Sequence, residues 1–148
     1  SLSLSLSLSL SLCVCVCDIH ILYRAGELAV VQDFPVVVGA LLEFLDNGLE
    51  IAKPGTAELE QIVALTVRML RASKAVSQCL SQETQQKVNG TTKALVAKTL
   101  MVMNLVHDCQ EDVEKSGEVR STVYRDYKRS LDEMGDIVQE IVEAMKQK

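Results

Sequence analysis

Apolar side chains recur through the larger part of this chain at alternating three- and four-residue steps, the spacing that lines one face of an α-helix. From Pro35, the run PVVVGALLEFLDNGLEIA sets Val38, Leu42, Leu45, Leu49 and Ala52 on one stripe, widened by Leu41 and Phe44. Proline suits a first helical turn, where its missing N–H costs nothing, and Asp33 stands where a cap is wanted. A first helix is therefore predicted over about 35–52, with Leu28 and Val31 extending the stripe into a short turn before the proline. Pro54-Gly55 breaks the pattern, and Thr56 is a candidate N-cap for a second helix with Glu58 and Glu60 in its first turn. Its expected apolar face is Leu59, Ile62, Val63, Val67, Leu70, Val76, Cys79 and Leu80.

Two turns compete to end that second helix. One lies at Ser81, where a polar stretch begins; the other lies at Asn89-Gly90, where glycine can take a left-handed cap and Thr91 or Thr92 can open the next helix. The Asn89-Gly90 turn makes the helices more nearly equal in length and is preferred, which predicts helices over about 57–88 and 92–115. The third helix holds the densest apolar run, from Ala94 to Val106. A fourth, over about 118–146, places Tyr127, Leu131, Met134, Val138, Ile141 and Met145 on a coiled-coil-like seam. Leu45, Leu70, Val102 and Leu131 are expected core positions. Short connections between long helices favour antiparallel neighbours, so the predicted fold is all-α: an elongated antiparallel up-and-down four-helix bundle over 27–148.

The first seventeen residues obey another rule. Ser1 to Leu12 is six Ser-Leu pairs, followed by Cys13-Val14-Cys15-Val16-Cys17. A (TC)n repeat translates as alternating Ser and Leu and a (TG)n repeat as alternating Cys and Val, so two abutting microsatellites would write this segment. Residues 1–26 are therefore expected to be a low-complexity tract and junction, non-native or disordered, joined to a genuine exon. The first methionine is Met69, which makes a fragment of a longer protein the expectation. A signal peptide would need a basic start, and a membrane helix about twenty mostly apolar residues. This run has neither.

Charge narrows the function classes. Lys+Arg number 15 against Asp+Glu 20, for a net charge of -5, which argues against nucleic-acid binding because phosphate neutralisation needs a strongly basic face. With no Trp, two Phe and three Tyr, a β-sandwich is disfavoured as well. The charges are sorted along the chain: residues 18–52 carry one basic and six acidic side chains, 53–98 seven and three, and 99–148 seven and eleven. A basic second helix set against acidic neighbours would help orient the bundle, although exposed pairs contribute only about 0–1 kcal/mol each.

The sequence carries no recognisable catalytic or ligand motif. The phosphate-binding, dinucleotide-binding, nucleophile-elbow and zinc-protease motifs do not occur, and no Glu stands three residues before either His as a di-iron bundle needs. Cys13, Cys15 and Cys17 have the wrong spacing for zinc, while Cys79 and Cys109 read as small, reduced, buried side chains in a cytoplasmic setting. His107 and Cys109, two residues apart on a helix, point away from one another. Asp132, Glu133, Asp136, Glu140 and Glu143 read as a solvated face, and Asn89-Gly90-Thr91 as a helix stop rather than a glycosylation acceptor. No enzyme, cofactor or metal is expected.

Two surfaces invite a partner. The third helix carries more apolar side chains than one bundle face can absorb, so Val96, Met101 and Met103 are candidates for a partner helix, a second copy in a homodimer, or a missing helix of the same chain. Arg120, Arg125, Lys128 and Arg129, with Tyr124 between them, form a basic and aromatic patch suited to an acidic partner, an anionic headgroup, or a kinase if Tyr124 is exposed. The stretches ALTVRMLRASKAVSQCL and TTKALVAKTLMVMNLV resemble in manner the helical bundles of cytoskeletal scaffold proteins of the talin, vinculin and α-catenin kind, a likeness of fold without a motif. It implies a protein–protein interaction module of the adaptor or scaffold type. The alternative is a lipid-responsive bundle that exposes its apolar third helix at a membrane surface.

Overall fold

The structure, a computed structural model, describes residues 25–146 and folds them into four helices with no strand among them: α1 (Ala25–Gly48), α2 (Thr56–Ser77), α3 (Gln82–Ser116) and α4 (Ser121–Lys146). The Ser-Leu/Cys-Val tract lies outside the described residues. Each helix packs on the next, and α1 packs on α4. Two contacts orient α2 against α3: Thr66 meets Thr99 at 3.4 Å, and Thr56 receives a hydrogen bond from Gln110 at 2.9 Å. Positions fall on α2 as they rise on α3, so the two run in opposite directions. Met101 with Ser130 and Lys98 with Glu133 do the same for α3 and α4.

Three features differ from the sequence expectation. The first concerns α1, which begins at Ala25 and carries Pro35 in its interior. Asp33 does not cap; its carboxylate takes a two-pronged ion pair from Arg68 of α2, at 2.5 and 3.2 Å. An interior proline removes one helical hydrogen bond and costs about 3 kcal/mol. Complete burial of Val31 and Phe34, one turn apart on the core side, offsets it. The core stripe is accordingly Val31, Phe34, Val38, Leu41 and Leu45, whereas Leu42 is half-buried and Ala52 exposed. The helix closes at Gly48, and Leu49, Glu50 and Ile51 bond back to carbonyls three residues earlier.

The second difference is the α2–α3 turn, which lies at Gln78–Ser81 and not at Asn89-Gly90. Ser81 is the N-cap of α3, its hydroxyl accepting the Thr84 N–H at 3.2 Å. Asn89 and Gly90 are helical, and Thr91 and Thr92 turn their hydroxyls back onto the Lys87 and Asn89 carbonyls, each at 2.9 Å, instead of capping a new helix. Burial of Thr84, Val88 and Leu95 along one face keeps α3 continuous across the weak dipeptide. Glycine costs a helix roughly 1 kcal/mol relative to Ala. Nothing lies within 4 Å of a Cβ built on Gly90. Gly90→Ala is therefore expected to raise stability by about 1 kcal/mol, and Ser81→Ala to lower it by about 0.5–2 kcal/mol, read from denaturant midpoints. A Gly90→Ala that destabilises would return the turn to Asn89-Gly90.

The third difference is the rotation of α2. Its core face is Ile62, Leu65, Met69, Ala72 and Val76, while Leu59, Val63 and Leu70 are only half-buried and Val67 is exposed. Leu70 is thus not a full core position. Thr66 and Ser73 occupy inward sites where the periodicity alone favours their aliphatic neighbours. The cap of α2 also shifts by one residue, to Gly55, whose N–H donates to the Glu58 carboxylate at 3.0 Å. The fourth helix needs no revision of its face: Tyr127, Leu131, Met134, Val138, Ile141 and Met145 are all buried, and Gly117 ends α3 in the left-handed conformation at φ 81°. The basic second helix meets an acidic neighbour as expected, Arg68 of α2 with Asp33 of α1, and a further pair, Lys98 with Glu133, joins α3 to α4.

Candidate functional site

The Thr66···Thr99 contact fixes which side chains share an outer surface. Thr99 donates its hydroxyl to the Leu95 carbonyl at 2.8 Å, so Thr66 is the donor in the pair, and both are buried at the seam. On each helix the core residues lie to one side of that threonine and a second apolar strip lies to the other. Because α2 and α3 are antiparallel, the two second strips fall on the same outer side of the seam. Val67 sits 100° around from Thr66, and Leu100 100° around from Thr99, in the helical repeat.

This geometry gathers Val67 (46% exposed), Val96 (38%) and Leu100 (55%) into one face, with half-buried Val63, Leu70 and Met103 forming its floor. Contiguous exposed apolar surface of this kind marks an interaction site more often than a scattered residue does. Of the residues singled out in sequence, Val96 and Met103 belong here. Met101 (49% exposed) does not: its sulfur accepts from Ser130 of α4 at 3.7 Å and lies 3.9 Å from the Lys98 ammonium, on the opposite flank of α3. Leu100 and Val67 are the residues that sequence did not assign to a partner surface; Val67 is expected on the inner face of the second helix and is instead 46% exposed. Leu100 was visible in the apolar run, but its pairing with Val67 depends on the register set by the turn at Gln78–Ser81.

The basic and aromatic patch is largely engaged within the chain. Arg120 binds the Asp112 carboxylate through its side chain at 2.9 and 3.0 Å and through its backbone N–H at 3.1 Å. Lys128 lies 4.9 Å over the Tyr124 ring, and Arg129 pairs with Asp126 at 2.9 Å. Arg125 is exposed. Tyr124 is half-buried with its hydroxyl 3.5 Å from the Leu49 carbonyl, a posture that ties the start of α4 to the end of α1 and restricts access by a kinase.

Asp112 is the carboxyl of this region whose pKa is lowered. The Arg120 guanidinium, then the Arg120 backbone N–H, hold it below the ordinary value of 3.8. A carboxyl depressed in the folded state stabilises it fully above that ordinary value, and the contribution erodes as pH falls through the lowered one. Asp112→Asn is expected to lower the melting temperature at neutral pH and to flatten the acid side of the stability profile. A parallel downward shift at every pH would refute the ionic reading. The buried Cys109 thiol is pushed up to about 11, by burial first and then by Asp112 and Asp108, which leaves it protonated and unreactive at neutral pH. His107, two residues away, is exposed, so the two share no face.

Among the described residues no three His, Cys, Asp or Glu side chains gather as a metal site, and no helix is long and apolar enough to cross a membrane. Asp136, Glu140 and Glu143 line an open groove between α4 and the first turns of α3, with Lys87 and Thr91 on the other wall. Compared with known proteins, the chain matches no family model, no curated protein and no solved structure.

Proposed function

We propose that this chain is a non-catalytic protein–protein interaction module of the adaptor or scaffold type, acting in the cytoplasm through a helix face. The observation that carries the reading is the joint apolar face of α2 and α3, where Val67, Val96 and Leu100 stand in solvent over a half-buried apolar floor. The exposed part of these side chains gains nothing in the isolated chain, whereas burying it against a partner gains about 25 cal/mol for each Å² removed from water. Leu100 is the most exposed of the three and the natural probe.

A benzophenone photo-crosslinker placed at position 100 in cells is expected to yield protein adducts, and one at the exposed Glu140 position to yield none. Absence of protein adducts at 100 would overturn the reading. Lipid flotation supplies the contrast with the membrane alternative: the chain should stay at the bottom of the gradient at physiological salt. Flotation abolished by Leu100→Asp would replace the adaptor reading with the lipid-responsive one.

A further inference from the structure

The exposed charges around the apolar face are arranged in opposite signs at its two ends. On α2, Glu60 and Lys74 stand seven residues to either side of Val67, roughly 10 Å away along the helix in each direction. On α3, Lys93 stands beside Lys74, because that helix runs the other way, and Glu111 lies toward the Glu60 end. All four are exposed, and none makes an ion pair within 4 Å among the described residues. The face is therefore an apolar centre with a basic end and an acidic end.

Such a surface is complementary to itself. A two-fold axis lying in the contact plane, across the helices and between Val67 and Leu100, reverses the second copy end for end. It stacks α2 on α2 and α3 on α3, each antiparallel, with Leu100 near Leu100 at the centre. Lys74 of each copy then faces Glu60 of the other, whereas Lys93 falls opposite Leu105, about 9 Å short of Glu111 along the helix, so the Lys74/Glu60 pair sets the register. An isologous contact of this kind closes on itself and leaves no free end for further growth. We infer that the occupant of the α2/α3 face is a second copy of this chain, in an antiparallel homodimer, an inference that rests on the interaction-module reading above and names its partner.

The contact is small. Between the Glu60 and Lys74 ends the mutually covered face is roughly 21 Å long and two helices, about 20 Å, wide, or about 840 Å² counted on both copies, below the standard size for specific complexes. A reversible dimer in the micromolar range follows, with apolar contacts giving the affinity and the charges giving the register.

Sedimentation equilibrium of the full chain tests this. The wild type should move between 16.3 kDa and twice that mass as concentration rises through the micromolar range, and Leu100→Asp should stay at 16.3 kDa with unchanged helical circular dichroism. A chemically exact test of register uses exposed charges only. The acidic variant Lys74→Glu and the basic variant Glu60→Lys should each lose self-association by about tenfold or more, and their equimolar mixture should recover a one-to-one dimer. Wild-type protein that stays monomeric throughout, or variants that do not rescue one another, overturns the dimer. If the chain is monomeric yet the crosslinker at position 100 still captures a different protein, the dimer fails while the interaction module stands. If position 100 captures nothing and Leu100→Asp changes no mass, both fall.

Discussion

Phe34→Ala is expected to cost about 3–5 kcal/mol of unfolding free energy, a large share of the total for a domain of this size. Phe34 is fully buried, beside equally buried Val31 and Val38 on the inner stripe of α1. It also stands immediately before Pro35, inside a helix whose ladder that proline interrupts. Truncating the ring removes both its transfer free energy and the contacts that hold α1 together across the interruption. The loss should therefore appear as a lower denaturant midpoint and as reduced helicity confined to the N-terminal part of α1, visible in amide exchange of residues 25–34. A cost below about 1 kcal/mol would place Phe34 outside the core and return the start of the first helix to the proline.

What the chain revealed before its structure, and what it hid, divides along physical lines. The face of α4 was legible because its apolar residues repeat without exception and its exposed side is almost entirely charged; one signal dominates. The start of α1 was not, because Pro35 and Asp33 form a plausible local opening, and only the burial of Val31 and Phe34 against other helices overrides it. The turn after α2 failed similarly. Ser81 and Asn89-Gly90 are both good local punctuation, and equal helix length is no force. Tertiary contacts of Val88 and Leu95 decide, and those are invisible to periodicity. That misplaced turn also hid the site: with the wrong register, Val67 and Leu100 sit on unrelated surfaces, and the apolar excess of α3 looks like a property of one helix rather than of a seam.

Leu131→Ala is expected to cost about 2–5 kcal/mol, against no more than about 0.5 kcal/mol for a change at exposed Glu140 on the same helix. Its environment supplies a sharper test than the magnitude. A Cβ built on Gly48, at the end of α1, would meet the Leu131 Cδ1 atom at 3.0 Å and the Tyr127 hydroxyl at 3.9 Å. Alanine at 48 would gain up to about 1 kcal/mol in helix propensity but must push that methyl aside, so in the wild-type background the two effects oppose. Removing the leucine removes the obstacle. In the Leu131→Ala background Gly48→Ala should be stabilising, because the new methyl partly fills the space left behind and the propensity gain is unopposed. The two substitutions are therefore expected to be non-additive by about 1 kcal/mol in a double-mutant cycle measured by denaturant midpoints. Additivity within about 0.5 kcal/mol would mean that the end of α1 does not press on α4 at this point, and that the closure of the bundle between its first and last helices rests on other contacts.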